Sequence, residues 1–267
     1  MSTTSDFSGS IPTTYDRCLG PLLFEPYAAD LVARVQQTGE GLRVLELACG
    51  TGILTRRLRE ALPTSATLLA TDLNEAMVSY ARAAVSDPNI EWRTTDAQAL
   101  PFADASFDVV LCQFGFMFLP DKAQGFREAR RVLRPGGVLL ANVWHSMEDN
   151  PLAGAMHTRL ARLFPDDPPR FFETPYGYHD ADRLRADLAA GGWQSIDLED
   201  VTLQSASPSA TDAATGFVYG SPLTHELVKR RADLEATVRE LVAALTPVGG
   251  DRPFTAALAA TVITATR

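Results

Sequence analysis

The stretch Val44-Leu45-Glu46-Leu47-Ala48-Cys49-Gly50-Thr51-Gly52 constrains this chain more than any other. An apolar run carrying one acidic residue stops abruptly at two small residues and two glycines. Ile53, Leu54, Leu58, Ala61 and Leu62 then recur at three- and four-residue steps. That pattern predicts a strand, a tight turn and a helix. Glycine lets a backbone turn sharply and lets a ligand approach the main chain closely. A helix opening at such a turn offers unpaired N–H groups to an anionic or oxygen-rich ligand. The expectation is a nucleotide-like cofactor lying across the end of a parallel sheet.

The rest of the chain supplies that sheet. Strands are expected at 44–47, 67–71, 90–93, 107–111 and 138–144, with helices over 52–62, after the cap Asn74, and over 123–132. Short apolar runs joined through helices indicate a parallel sheet covered on both faces. Pro135-Gly136-Gly137 is expected to break the chain before the fifth strand. Further strands are expected at 195–203 and 258–266. Residues 1–42 form an N-terminal helical entry segment with a loose tail at 1–10. Residues 43–267 form one domain, interrupted by insertions near 146–179 and 205–253. Long insertions over an α/β sheet commonly serve function, so these are expected to act as a lid or pocket wall.

A formal net charge of −9 argues against a nucleic-acid partner, which needs a basic face. No apolar run approaches the ~20 residues that cross a bilayer, and no secretory signal stands at the N-terminus. Cys18, Cys49 and Cys112 fit neither a disulfide framework nor a zinc pattern. They are expected to be small buried hydrophobes of a cytoplasmic protein without a metal.

Which ligand the turn holds is decided by its neighbours. The dinucleotide fingerprint needs a third small residue, and Thr55 occupies that place. No Gly-Lys-Ser/Thr follows, which removes the phosphate loop. Asp72 remains, at the end of the next strand, where a carboxylate can accept from both ribose hydroxyls. The ligand has a ribose and need not have a pyrophosphate.

Glu46-Leu47-Ala48-Cys49-Gly50-Thr51-Gly52 resembles motif I of the class I S-adenosylmethionine-dependent methyltransferases, with Ala48 where many members have Gly. Asp72-Leu73-Asn74, then Asp96-Ala97 followed by Leu100-Pro101-Phe102 and Ser106-Phe107-Asp108, and Leu133-Arg134-Pro135-Gly136-Gly137 resemble three further motifs in register. Their order and spacing resemble the subgroup of quinone-biosynthesis and small-molecule methyltransferases. The resemblance is strong over residues 40–144 and weak elsewhere. It implies an α/β fold: a Rossmann-like, seven-stranded, mostly parallel sheet with helices on both faces and a helical lid insertion. It implies S-adenosyl-L-methionine as cofactor, with Glu46 and the backbone at Ala48, Gly50 and Gly52 around the methionine moiety. Asp72 would take the ribose, Leu73 the adenine face, and Asp96 with Ala97 the adenine edge. Gln113 would lie near the methionine end, and Tyr15 would cap the cofactor.

Methyl transfer is an in-line displacement that disperses charge, so positioning supplies most of the acceleration. A base is needed only when the nucleophile arrives protonated. His145, directly after the fifth strand, and His179, after an aromatic segment, are the candidate catalytic residues. His157 sits at helical spacing and is expected to be structural, and His225 is ambiguous. Phe171, Phe172, Tyr176 and Tyr178 could line a pocket for a planar or lipophilic acceptor. The leading expectation is methylation of an oxygen, carbon or nitrogen atom of a small molecule. The alternatives are an enzyme of this fold running a cyclisation or elimination, and a non-catalytic cofactor-binding protein. Neither the acceptor nor the oligomeric state follows from the sequence.

Overall fold

Seven strands form one sheet in the order β3-β2-β1-β4-β5-β7-β6. They are β1 (Arg43–Leu47), β2 (Thr67–Asp72), β3 (Ile90–Thr94), β4 (Phe107–Gln113), β5 (Leu133–Trp144), β6 (Ser195–Ser207) and β7 (Phe254–Thr266). The computed structural model describes residues 11–36 and 41–267, so the expected loose tail at 1–10 lies outside the described residues. β1 to β5 pair in parallel, while β7 runs antiparallel between β5 and β6. The α/β sheet of seven mostly parallel strands is therefore as the sequence implies.

Helices cover both faces, which is why the central strands are apolar on alternate and intervening positions alike. In chain order the helices are α1 (Ile11–Thr14), α2 (Glu25–Ala33), α3 (Ile53–Ala61), α4 (Glu75–Ala84), α5 (Lys122–Val132), α6 (Pro151–Leu163), α7 (Glu173–Tyr176), α8 (Ala181–Ala190), α9 (Ala210–Gly220), α10 (Leu223–Lys229) and α11 (Leu234–Gly249). Leu31 of α2 and Leu54 and Leu58 of α3 pack with Val44, Leu68, Val109 and Leu111 on one face. Phe126 of α5 and Leu184 and Leu188 of α8 pack with Leu45, Leu47, Val110 and Leu139 on the other. Asn74 caps α4 as expected, its side chain accepting from Ala76 N at 2.9 Å.

Three features go beyond the sequence pattern. Between α1 and α2 the entry segment is a π-helix, Tyr15–Phe24. Pro21 has no N–H to give to an α-helical turn, and the coil closes wider, with Glu25 N–H donating to Gly20 O. Second, α5 ends at Val132 as expected, but the strand after it begins before 138 and takes in Pro135-Gly136-Gly137. This start of β5 is held by the C-terminus: Gly136 N–H donates to Arg267 O at 2.8 Å, and Arg267 N–H to Gly137 O at 2.9 Å. Third, no helix joins β3 to β4. Arg131 pins that loop instead, donating to Phe102 O at 2.7 Å and Leu100 O at 2.8 Å. A groove of about 860 Å³ opens beside the loop at the amino ends of the strands, lined in part by Thr67, Glu91 and Phe107. It lies on the sheet edge opposite the glycine turn.

The stretch 146–179 carries α6 and α7, and 205–253 carries α9, α10 and α11. α9 lies directly on the π-helix. A Cβ added to Gly216 would come within 2.7 Å of Leu19 Cδ2, and one on Gly220 within 2.8 Å of Tyr15 N. Only hydrogen at those positions lets the two backbones approach so closely.

Candidate active site

The carboxyl edge of β1 carries the turn. Ala48, Gly50 and Gly52 all take left-handed backbone angles, with φ of 53°, 55° and 83°. Such angles cost an alanine about 1–2 kcal/mol and a glycine almost nothing. A Cβ on Gly50 would meet nothing within 4 Å, so the turn is open on that side to a ligand. Thr55, which removed the dinucleotide fingerprint, has a definite task here. Its hydroxyl donates to Glu46 Oε2 at 2.6 Å.

Two carboxylates flank the turn. Glu46 is 1% exposed. Burial pushes its carboxyl up to about 8; Asp72 adds to the rise, while the Thr55 hydrogen bond and Arg56 oppose it. Asp72 accepts from Gly50 N–H at 2.9 Å and from Asn74 N–H at 2.8 Å, which ties the end of β2 to the turn. Burial raises its carboxyl too, against those backbone donors. Leu73 follows it and stands 54% exposed, an apolar surface with no protein covering it. Asp96 lies one loop further along the same edge, its Oδ1 accepting from Gln98 N–H at 2.8 Å.

Comparison with known proteins places this geometry. Residues 45–141 match the model of the methyltransferase domain family. The chain is 40% identical over 116 residues to the ubiquinone/menaquinone biosynthesis C-methyltransferase UbiE of Hahella chejuensis, spanning 42% of this chain and 46% of that protein. It is 31% identical over 176 residues to UbiE of Escherichia coli, spanning 61% of this chain and 70% of that protein. The chain belongs to the class I S-adenosylmethionine-dependent methyltransferases. Haemonchus contortus phosphoethanolamine N-methyltransferase 2, solved in complex with S-adenosyl-L-methionine, shares the fold with a TM-score of 0.60 at 16% identity, over 96% of this chain and 56% of that one.

The residues of this methyltransferase fit its cofactor. Glu46 and Asp72 place carboxylates beside an open turn, Leu73 stands exposed after Asp72, and Asp96 and Ala97 follow along the same edge. Tyr15 belongs to the π-helix and stacks on Phe24, with ring centroids 4.9 Å apart. Its hydroxyl is held protonated by burial and by the nearby carboxylates of Asp72 and Asp16. Gln113, at the end of β4, donates its side-chain amide to Phe24 O at 2.8 Å and so anchors the entry segment.

The two candidate histidines sit apart from each other. His145 Nε2 lies 2.9 Å from Asp200 Oδ1, and its Nδ1 lies 3.7 Å from Asp149 Oδ2. Exposed His179 places Nδ1 2.9 Å from Tyr176 O. Around the ends of β4 and β5 the structure gathers aromatic rings instead. Phe114 stacks on Trp144 at 3.7 Å, and Tyr27 meets both edge-on at 5.3 and 5.4 Å. Tyr176 of α7 joins from the first insertion, 6.0 Å from Trp144. His157 lies against Phe172 at 6.4 Å, away from the glycine turn.

Two residues at this edge went unnoticed in the sequence. Asn142 is wholly buried on β5, and its Oδ1 accepts from Phe114 N–H at 2.9 Å, holding Phe114 in a left-handed turn of φ 52°. Asp16 bonds the glycine turn itself. An Asn in a strand otherwise apolar, and an Asp directly after Tyr15, were the available signals.

Proposed function

We propose that this methyltransferase acts on a small organic acceptor that is planar or lipophilic, received against the aromatic wall of Phe114, Trp144 and Tyr176. The observation that carries the reading is that wall. It stands at the carboxyl ends of β4 and β5, on the sheet edge that carries the glycine turn, with Phe114 stacked on Trp144 and Tyr176 beside Trp144. Aromatic surface gains from covering a flat apolar ligand and offers no charge to a phosphate or peptide. The UbiE proteins similar to this chain, named as C-methyltransferases of ubiquinone and menaquinone biosynthesis, support an acceptor of that kind.

S-adenosylmethionine, when bound, supplies an electrophilic methyl group on a sulfonium. Glu46 and Asp72 hold the methionine and ribose ends from the turn side, and Tyr15 shields them from water on the other. A bound cofactor would give that methyl to the acceptor's electron pair, the carbon–sulfur bonding pair staying on sulfur as S-adenosylhomocysteine. Any proton on the nucleophile leaves to solvent or to His145, whose Nδ1 keeps its lone pair when Nε2–H donates to Asp200. His179 supports the aromatic segment through its bond to the Tyr176 carbonyl.

The test is incubation with S-adenosylmethionine and a panel of phenols, hydroquinones, enols, polyprenyl aromatics and amines, followed by mass spectrometry. A methylated aromatic or polyprenyl product formed one-to-one with S-adenosylhomocysteine supports the reading. Turnover confined to small polar amines would refute it, and a product formed without cofactor loss would point to cyclisation or elimination.

A further inference from the structure

We infer that Asp16 is a positioning residue: it latches the Tyr15 cap to the cofactor cradle and so sets the affinity for S-adenosylmethionine. The inference rests on the reading of Tyr15 as the cap. Asp16 is one residue on from Tyr15 in the first turn of the π-helix. Its Oδ1 accepts from Thr51 Oγ1, inside the glycine turn, at 2.9 Å. The same oxygen faces both terminal nitrogens of Arg56, on α3, at 3.3 and 3.4 Å. Its Oδ2 accepts from the Tyr80 hydroxyl, on α4, at 3.4 Å. One carboxylate therefore joins the cap to the turn and to both helices that rise from the cofactor edge.

The far end of the π-helix is fastened by the same helix. Arg56 also reaches Glu25 Oε1 at 3.4 Å, and Arg57 Nε donates to Glu25 Oε2 at 2.8 Å. The two ends differ in what they touch. Glu25 meets only α3, whereas Asp16 meets the residue between Gly50 and Gly52. Side chains at the Asp16–Arg56 pair are 20% and 29% exposed, shielded enough for a charge-assisted bond to outweigh a surface ion pair. α9 backs the cap from the other side through Gly216 and Gly220, so the Asp16 bonds are what tie its first turn to the glycine turn.

Four proteins test this: wild type, Asp16→Asn, Glu25→Gln and Tyr15→Ala. Each is titrated with S-adenosylmethionine and with S-adenosylhomocysteine by calorimetry. Backbone hydrogen exchange of residues 15–24 is followed with and without S-adenosylhomocysteine. Asp16→Asn, which keeps the shape and loses the charge, is expected to raise Kd about tenfold and to lose most of the ligand-induced protection. Glu25→Gln is expected to lower Tm comparably while leaving Kd within about twofold, which a merely structural role for Asp16 does not explain. Arg56→Met serves if Asp16→Asn does not fold, with the same expectation. Asp16→Asn binding like wild type, with protection intact, overturns the latch alone. Tyr15→Ala binding like wild type overturns the cap, and the latch with it. A wild type that binds neither ligand overturns the cofactor reading itself.

Discussion

Glu46 makes the pH dependence of cofactor binding a direct test of the cradle. Its folded carboxyl titrates near 8, against an ordinary value of 4.5, chiefly because it is buried. At pH 6 only about 1% of the folded protein carries the ionised group, and at pH 8 about half. The methionine end of the cofactor is cationic, so binding beside Glu46 selects the ionised form. An apparent Kd scales inversely with the competent fraction. It is therefore expected to tighten about fifty-fold from pH 6 to pH 8, or ~2.3 kcal/mol. The stability of the free protein runs the other way. A folded value above the unfolded one means that between pH 4.5 and 8 the folded state keeps a proton the unfolded chain has released. Stability from this group is thus present below the unfolded value and declines as pH rises through that window, by on the order of 5 kcal/mol in full. Calorimetric titrations of wild type and Glu46→Gln from pH 6 to 8.5, in buffers of differing ionisation enthalpy, measure both affinity and proton release. Release of about one proton at pH 6.5 in wild type, absent from Glu46→Gln, is the expected result. Parallel pH curves for the two proteins would refute the reasoning, because any slope would then belong to the ligand.

Three further outcomes are expected. Asp72→Ala removes the acceptor for the Gly50 and Asn74 N–H groups, and if Asp72 holds the ribose as proposed, cofactor Kd should rise at least about tenfold by calorimetry. Gly115→Ala puts a Cβ 2.6 Å from both Ala48 Cβ and Cys112 Sγ, and should cost about 1–3 kcal/mol in chemical denaturation. Tyr27→Phe deletes hydroxyl bonds to Leu258 O at 2.6 Å and Val201 O at 2.9 Å in the core. It should lower stability by about 1–2 kcal/mol in the same assay without moving cofactor affinity.

What could be read from the sequence was what neighbours in the chain decide. The five parallel strands announced themselves as apolar runs because both of their faces are covered, and Asn74 announced its helix because a cap acts on N–H groups two and three residues away. Leu73 was marked only by its motif; its exposure follows from the path of the chain after β2. Features fixed by distant partners were hidden. The entry segment reads as helical, and only the folded chain shows it wound as a π-helix over Tyr15–Phe24. Pro135-Gly136-Gly137 reads as the end of a helix, and nothing near it points to the last residue of the chain, which pairs with it. Asp16 carries no local sign of its partners, which lie 35, 40 and 64 residues further on. His145 was placed correctly at the sheet edge, but Asp200, its partner at 2.9 Å, comes from a strand that no spacing rule connects to it.

The contact of α9 with the π-helix bears on how the protein is made. Synthesis delivers Tyr15 early and Gly216 and Gly220 late, and the hydroxyl of Tyr27 waits for an acceptor 231 residues downstream. Contacts of such long separation form late because the intervening chain must first be ordered. A nascent chain that has completed β1 to β5 already owns the glycine turn, Asp72 and Asp96, and lacks the brace for its own first helices. On the proposed reading, the cradle is thus synthesised before the segment that braces its cap.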